Sequence, residues 1–287
     1  MKFGDRKIGN GEPVYLIAEI GINHNADMQI TKRLIDASFA CGWDCVKFQK
    51  RNPDLCVPEA QKGVKRQTPW GEMTYLEYKY KMEFGHAEYE YIDYYCANKP
   101  IQWTASVWDI DSLSFILEYE VPFIKIPSAK MVETDLILAI ACSEKPVVMS
   151  TGMSDLCEID ASVGILEKYM PGNYALMHTN SAYPSPPGDI NLKAISTLKE
   201  RYGCPVGYSG HEYGLDPSVL AVAHGANLIE RHITLDHNMW GTDQKASLEV
   251  HAMDMLHKRI AEAAVCLGDG VKRVAESEKP IRDKLRG

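Results

Sequence analysis

The sequence has no pair of closely spaced cysteines, no long apolar run and no excess of positive charge. None of its eight cysteines forms a CxxC pair, and most lie within apolar helix or strand patterns. We therefore expect reduced structural thiols rather than disulfides or a zinc knuckle. No apolar run approaches the roughly 18 residues of a membrane span, and the first residues lack the apolar stretch of a signal peptide. These absences predict a cytoplasmic protein with no membrane partner.

The charge balance is acidic, with 39 Asp and Glu residues against 31 Lys and Arg residues and a formal net charge of -8. Because proteins that bind nucleic acid usually present a basic surface, this balance argues against a nucleic-acid partner. An anionic small molecule can still bind where lysines are gathered locally.

Eight short β-rich runs alternate with helical patterns along the 287 residues. This alternation predicts a single domain, residues 1–287, folded as a (β/α)8 TIM barrel. We expect a short β-hairpin within residues 1–13, with its turn at Asn10-Gly11, and an extended active-site loop over residues 50–72. The predicted strands are VYLIAEIG, DCVKFQ, PIQWTAS, PFIKIPS, PVVMSTG, YALMHTN, PVGYSG and LIERHIT.

Polar residues stand near the end of every predicted strand, and in such barrels the active site lies at the carboxyl ends of the strands. Lys47 and Lys125 lie within apolar strands, where a lysine without an anionic partner is costly. With several hydroxyl groups beside them, they predict a pocket for a phosphate or carboxylate. The full set is Glu19, Lys47, Gln49, Thr104, Ser106, Lys125, Ser128, Ser150, Thr151, Ser181, Ser209, His211 and His232.

The eighth run, LIERHIT, contains Glu230, Arg231 and His232, although its pattern is that of a buried strand. Alone, His232 fits a satisfied core histidine and His211 fits a loop histidine. Together they end neighbouring strands of a closed barrel, so we expect both to hold a divalent metal. Manganese is the first candidate, with magnesium, zinc, iron or cobalt as alternatives. Glu230 and Arg231 should pair with groups on other elements, because a buried charge needs a partner.

The ordered series of motifs resembles the sialic acid synthases, which condense phosphoenolpyruvate with an N-acylated sugar aldehyde. The matching stretches cover nearly the whole chain, and their combination in this order is highly specific. They are IAEIGINHNAD, VKFQ, TAS, IKIPSAK, STGMS, HTNSAYPSP, GYSGHE, IERHITLD and MWGTDQKASLE.

The resemblance implies a role for each matching residue. His211 and His232 would hold the metal, Glu19 and Asp243 would lie beside the metal and the reacting aldehyde, and Gln49, Lys130 and Asp243 would contact the acceptor sugar. The resemblance also implies a homodimer. The residues expected around phosphoenolpyruvate are Lys47, Thr104, Lys125, Ser128, Ser150, Ser181, Tyr183 and Ser209.

The chain departs from the family pattern in two places. Lys130 stands where the family usually has an acidic acceptor contact, which suggests either an anionic acceptor or a lysine that points to solvent. Many members continue into a small antifreeze-like domain that covers the active site of a partner subunit, whereas this chain ends at EKPIRDKLRG. We expect a separate lid-bearing chain, closure by residues 50–72, or a shortened chain.

Two other functions stay open at this point. One is a different metal-dependent phosphoenolpyruvate condensation, or an aldolase, with another and possibly anionic acceptor. The other is a non-catalytic barrel subunit that needs a lid-bearing partner. The full set of lysines, histidines and glutamates argues against the second, since a silent copy has no reason to keep buried charges.

Overall fold

The fold is a closed barrel of eight parallel strands, and the computed structural model describes all 287 residues. Consecutive barrel strands are neighbours, and the eighth pairs with both the seventh and the first, which closes the sheet. The predicted (β/α)8 barrel is confirmed. Its strands are β1 (Tyr15–Gly21), β2 (Cys45–Lys50), β3 (Gln102–Val107), β4 (Ile124–Ile126), β5 (Val147–Ser150), β6 (Tyr174–Thr179), β7 (Val206–Gly210) and β8 (Leu228–Thr234).

Helices connect the strands, and side-chain caps fix where several of them begin. Asp27 accepts hydrogen bonds from the first free backbone N–H groups of the first helix. Asp155 forms a capping box with Glu158. No helix has both the length and the apolar character needed to cross a membrane. The longer helices are Met28–Ala40, Tyr75–Met82, His86–Ala97, Ile110–Ile116, Thr134–Ala141, Leu156–Tyr169, Ala194–Tyr202, Asp216–Ala223, Val250–Leu267 and Lys279–Arg286.

Side-chain alternation along the strands divides the molecule into two apolar cores. Residues at even positions of β1, such as Leu16 and Ala18, pack outward into the core between sheet and helices. Tyr15 and Ile17 point inward and belong to a smaller core near the amino ends of the strands. Two residues further along the same inward face stands Glu19. The barrel interior is therefore apolar at its amino end and polar at its carboxyl end.

The amino-terminal hairpin closes the apolar end of the barrel. Phe3 is fully buried, and its ring lies 4.3 Å from that of Phe123 and 5.1 Å from that of Tyr15. The hairpin pairs Lys2–Phe3 with Arg6–Lys7, so its turn lies at Gly4 and Asp5. The prediction that the turn lies at Asn10-Gly11 is therefore wrong. Gly4 provides the required left-handed backbone, with φ 57°, and a Cβ there would lie 2.8 Å from Gln102 Nε2.

The segment expected as an extended loop, residues 50–72, is instead mostly regular structure. It contains the short helices Pro53–Cys56 and Glu59–Lys62 and the strand Lys65–Thr68, which pairs with Gly71–Thr74 as an antiparallel hairpin. The expected extended loop folds instead into short helices and a hairpin, because its Pro and Gly residues mark helix starts and a hairpin turn. The hairpin lies beside the polar end of the barrel, where Trp70 meets Trp240 at 5.8 Å.

We predict that Phe3→Ala lowers the free energy of unfolding by about 3 to 5 kcal/mol, because it removes a buried ring from a packed core. Urea denaturation measures this change. The control is Phe39→Ala, whose ring is 40% exposed and whose loss should cost less than about 1 kcal/mol. Equal effects of the two substitutions would mean that the hairpin is not part of the barrel core.

Candidate active site

A cavity of about 210 Å³ opens at the carboxyl ends of the barrel strands. This position is expected from the strands, because their inward-facing polar side chains gather at the carboxyl end of the barrel. Eleven of the fourteen residues predicted for the site line this cavity. They are Glu19, Lys47, Gln49, Lys125, Ser128, Ser150, Ser181, Tyr183, Ser209, His211 and His232.

The floor of the cavity is a buried group of alternating charges. Lys47 Nζ lies 2.5 Å from Glu19 Oε2 and 3.7 Å from Glu230 Oε1. Lys125 Nζ lies 3.4 Å from Glu230 Oε2. All four side chains are at most 5% exposed. Each charge therefore has an opposite partner, which is what burial of ionised groups requires.

The carboxylates and lysines alter one another's protonation. Burial lowers the pKa of Lys125 to about 8, although the attraction of Glu230 opposes this change. Burial also works against the charge of Lys47, but Glu19 and Glu230 together raise its pKa. Burial favours the neutral form of Glu230, yet Lys125 and Lys47 overcome it and lower the pKa of this carboxyl. Lys47, Lys125 and Glu230 are thus ionised at neutral pH, and Lys125 is the cation nearest to losing its proton.

Hydroxyl groups surround the two ammonium groups. Lys47 donates to Ser106 Oγ and Lys125 donates to Ser150 Oγ, both at 2.8 Å. Ser209 donates to Glu230 Oε1 at 3.2 Å. These hydroxyls can rotate to donate to an anion, because a serine O–H serves as donor or acceptor. The arrangement fits a phosphate or carboxylate above the lysines.

Gly152 makes room for two more serines of the cavity. A Cβ at this position would lie 2.4 Å from Ser181 Oγ and 2.8 Å from Ser128 Oγ. The Gly152 N–H donates to Ser128 Oγ at 3.1 Å. Any larger residue at this position would collide with the two serine side chains, so a glycine is needed for both hydroxyls to face the cavity.

The two predicted histidines meet at the mouth, as expected. Tyr183 Oη lies 2.7 Å from His211 Nε2 and 3.2 Å from His232 Nε2, so both nitrogens face one point. His211 Nδ1 bonds to the carbonyl of Asn180, which fixes the ring. Burial, followed by the nearby His232, lowers the pKa of His211 to about 3, so that ring is neutral at pH 7.

These residues fit a metal site with two protein nitrogens and open positions. A neutral imidazole held by a carbonyl on its other nitrogen is a common metal ligand. No cluster of three His, Cys, Asp or Glu side chains is arranged to hold an ion. An ion here would therefore take its remaining ligands from water or substrate oxygens.

Three predicted residues do not line the cavity. Thr104 is buried, and its hydroxyl donates to the carbonyl of Phe123. Lys130 forms an ion pair with Glu133 at 2.8 Å. Asp243 lies at the edge, with Oδ2 3.8 Å from His232 Nδ1.

Seven lining residues were absent from the predicted contacts, and three of them had a signal in the sequence. Ser106 is two residues beyond Thr104 on the same inward face and so lies closer to the mouth. Glu230 stands two residues before His232 on β8, which also turns it inward. Trp108 follows β3 immediately and lines one side.

Arg231 faces the opposite side of β8 and belongs to a separate structural network. Its guanidinium donates to Glu212 Oε1 at 3.0 Å, to the carbonyl of Gly214 at 2.8 Å and to Ser218 Oγ at 3.1 Å. The expectation that Glu230 and Arg231 pair with other elements is confirmed. The three polar residues of β8 are thus divided, with Glu230 and His232 in the cavity and Arg231 behind the sheet.

Known proteins match this chain over nearly its whole length. The NeuB family model matches residues 34–272. The human N-acetylneuraminate-9-phosphate synthase is 36% identical over 98% of this chain and 78% of its own length. The N,N'-diacetyllegionaminic acid synthase of Campylobacter jejuni is 34% identical over 92% of this chain and 80% of its own. The fold also matches the crystal structure of N-acetylneuraminic acid (sialic acid) synthetase from Leptospira borgpetersenii serovar Hardjo-bovis in complex with citrate, with a TM-score of 0.89. The two sequences are 32% identical, and the match covers 100% of this chain and 97% of that one.

We predict that the affinity for phosphoenolpyruvate falls between pH 7 and pH 9. A lysine attracts an anion only while protonated, and the pKa of Lys125, about 8, means that its charge is lost across this range. The phosphate group, with a second pKa near 6, is already mostly in its dianionic form at pH 7, so its own ionisation changes little over this range. Titration calorimetry at pH 7, 8 and 9 measures the change.

Lys125→Met should weaken binding at pH 7 by about 1.5 to 3 kcal/mol and remove most of the pH dependence, because the titrating charge is gone. Lys145→Met is the matched control, since Lys145 pairs with the exposed Glu120 far from the cavity. A variant that binds as tightly as the parent would mean that the anion binds elsewhere.

Proposed function

Because the chain belongs to the NeuB family, whose members condense phosphoenolpyruvate with amino sugars, we propose that it joins phosphoenolpyruvate to an N-acylated amino sugar aldehyde and releases phosphate. The observation that supports this most is the cavity in which Lys47 and Lys125 meet serine hydroxyls at the mouth of the barrel. Two cations and rotatable donors suit an anion that carries both phosphate and carboxylate. The product is a sialic acid or a related nonulosonic acid.

The proposed reaction forms a bond between C3 of phosphoenolpyruvate and the aldehyde carbon of the sugar. As the enol electrons form this bond, C2 becomes cationic and the aldehyde oxygen gains a negative charge that takes up a proton. Water then adds to C2 and loses a proton. In the resulting tetrahedral intermediate the C2 hydroxyl gives up its proton and becomes a carbonyl. The bond from C2 to the phosphate oxygen breaks as this carbonyl forms, and its electrons leave with phosphate.

The charged floor supplies what this sequence of steps needs. Lys47 and Lys125 hold the phosphate and stabilise its departure as charge builds up on it. Glu19 is ion-paired with Lys47, and its other oxygen accepts from Gln49 at 2.8 Å. We assign to Glu19 the orientation of the attacking water. Positioning of the enol against the aldehyde contributes further, up to about 7 to 11 kcal/mol in favourable systems.

The acceptor sugar is proposed to bind between Gln49 and Asp243, near the histidines. Gln49 lines the cavity, and Asp243 stands at its edge. Lys130 keeps its proposed place near the acceptor, but its ammonium is already paired with Glu133. Tyr183, with its hydroxyl between the two imidazoles, would border both substrates.

The charge of the cavity supports a divalent cation as cofactor. Two lysines and two glutamates leave the floor without net charge, whereas phosphoenolpyruvate brings about two negative charges on phosphate and one on its carboxylate. We propose that His211 and His232 hold a divalent ion, with Mn²⁺ first and Mg²⁺, Co²⁺, Zn²⁺ or Fe²⁺ as alternatives. When bound, the ion would stabilise negative charge on the aldehyde oxygen as a Lewis acid.

Assembly and compartment stay as predictions from the sequence. We propose a cytoplasmic homodimer whose active site is closed by the hairpin after β2 or by a lid from another chain. Trp70, on that hairpin, contacts Trp240 in the segment after β8, which supports the first possibility. Sedimentation of the purified chain, alone and with both substrates, would measure the number of subunits.

Phosphate release from phosphoenolpyruvate tests the proposed function. The assay would use Mn²⁺ and a panel of neutral and anionic sugar aldehydes, with and without N-acyl groups. Release only with N-acyl amino sugars supports the synthase. Release with unrelated aldehydes supports another phosphoenolpyruvate condensation or an aldolase, and no release with any acceptor supports a non-catalytic subunit.

We predict that His232→Ala abolishes turnover and weakens Mn²⁺ binding while the fold remains intact. The substitution removes one of the two nitrogens proposed to hold the ion. Electron paramagnetic resonance of free Mn²⁺ measures binding, and circular dichroism checks the fold. His251→Ala is the control, because the His251 side chain is 74% exposed and lies outside the cavity. Full parent activity after exhaustive chelation would disprove the metal requirement.

A further inference from the structure

One buried arginine stands directly behind the cavity wall. Arg51 follows β2, and only 7% of it is exposed. Its Nε lies 2.9 Å from Glu83 Oε1, and its backbone N–H donates to Glu83 Oε2 at 3.2 Å. The guanidinium also lies 4.7 Å from the centre of the Trp108 ring, which lines the cavity. An ion pair and an aromatic face therefore hold this guanidinium in one place beside the site.

The guanidinium also contacts a side chain that lines the cavity. Arg51 Nη2 donates to Gln49 Oε1, and Gln49 Nε2 donates to Glu19 Oε1 at 2.8 Å. The second carboxylate oxygen of Glu19, Oε2, lies 2.5 Å from Lys47 Nζ. Both oxygens of Glu19 are therefore held, one by Lys47 and the other by an amide that is itself bonded to Arg51.

Arg51 determines which way the Gln49 amide faces. The oxygen and the NH2 group of an amide are similar in size, so their hydrogen-bond partners determine its orientation. If this amide were reversed, its NH2 group would meet the guanidinium and its oxygen would meet the Glu19 carboxylate. Both contacts would be repulsive. A cation on one side and an anion on the other thus leave one orientation, in which Gln49 donates to Glu19.

The amide and the carboxylate are also packed closely against the backbone of β1. Gly21 has a left-handed backbone, with φ 54°. A Cβ there would lie 3.1 Å from Glu19 Oε1 and 3.2 Å from Gln49 Nε2, which is tighter than ordinary contact. The contact between Gln49 and Glu19 is therefore confined by backbone on one side and held by Arg51 on the other.

We propose that Arg51 is a positioning residue, which acts through Gln49 to hold the Glu19 carboxylate in the direction that the reaction needs. This inference rests on the proposed function, in which Glu19 orients the water that attacks C2. With one oxygen held by Lys47 and the other by Gln49, the carboxylate keeps lone pairs free at a fixed angle for that water. Without Arg51 the amide can turn its oxygen toward Glu19, and repulsion would then turn the carboxylate away.

Steady-state kinetics of Arg51→Met tests this role. At saturating substrates kcat should fall about tenfold or more, because a small misplacement at the reacting centre carries a cost of this size. The KM for phosphoenolpyruvate should be unchanged, since Lys47 and Lys125 still hold the anion. Lys50 Nζ stays 3.7 Å from Glu83 Oε2, so the substitution leaves that carboxylate with a cation nearby.

A double variant separates positioning from a general structural effect. Gln49→Leu removes the amide through which Arg51 acts, so adding Arg51→Met to it should lower kcat no further. The matched control is Arg201→Met, which removes a 46% exposed arginine paired with Asp160 and should behave as the parent does. Losses that multiply in the double variant would contradict the inference, as would an unchanged kcat in Arg51→Met.

Hydrogen exchange of the Gln49 side-chain amide, followed by NMR on protein with labelled glutamine, needs no turnover. The amide protons should exchange at least about tenfold faster in Arg51→Met than in the parent, because the amide is released. Arg201→Met should leave the rate unchanged. If the parent consumes no phosphoenolpyruvate with any acceptor, the proposed function fails, and the exchange rate alone then decides whether Arg51 fixes the amide. Equal rates in Arg51→Met and the parent would overturn the inference.

Discussion

The ion pairs among Glu19, Lys47, Glu230 and Lys125 are the interaction on which the site depends. Each of these side chains is buried inside the barrel. Removal of Lys47 would leave Glu19 without a cationic partner, and removal of Glu230 would leave Lys125 without an anionic one. The two carboxylates keep the lysines in place before an anion arrives. When a phosphate binds, it can take over part of that pairing, so the cations need little rearrangement. The same ion pairs therefore stabilise the empty barrel and prepare it for substrate.

The barrel can hold these charges because strand alternation separates them from the apolar cores. On β8, Glu230 and His232 turn inward while Arg231 turns outward to Glu212. At the other end of the interior, Phe3 seals the barrel with an apolar plug. One strand thus serves the cavity and the outer network at once. Local alternation, rather than any local preference of these residue types, decides which role each has.

Much of this arrangement could be predicted from the sequence, because strand order and alternation determine it. All eight strands and most cavity residues follow from apolar runs that end in polar side chains. Spacing does not reveal that the Thr104 hydroxyl donates to the carbonyl of Phe123 on the neighbouring strand connection, as a strand-end hydroxyl can. Lys130 pairs with Glu133 three residues later, a local contact that competes with any role in the cavity.

The most direct test of the central claim is a crystal structure of the protein with phosphoenolpyruvate bound. The account predicts phosphate oxygens about 3 Å from Nζ of both Lys47 and Lys125, with serine hydroxyls turned toward the anion. The ion pairs of the lysines with Glu19 and Glu230 should lengthen as the phosphate takes part of their place. Phosphoenolpyruvate bound outside the barrel mouth, with the four-residue charged group unchanged, would contradict it.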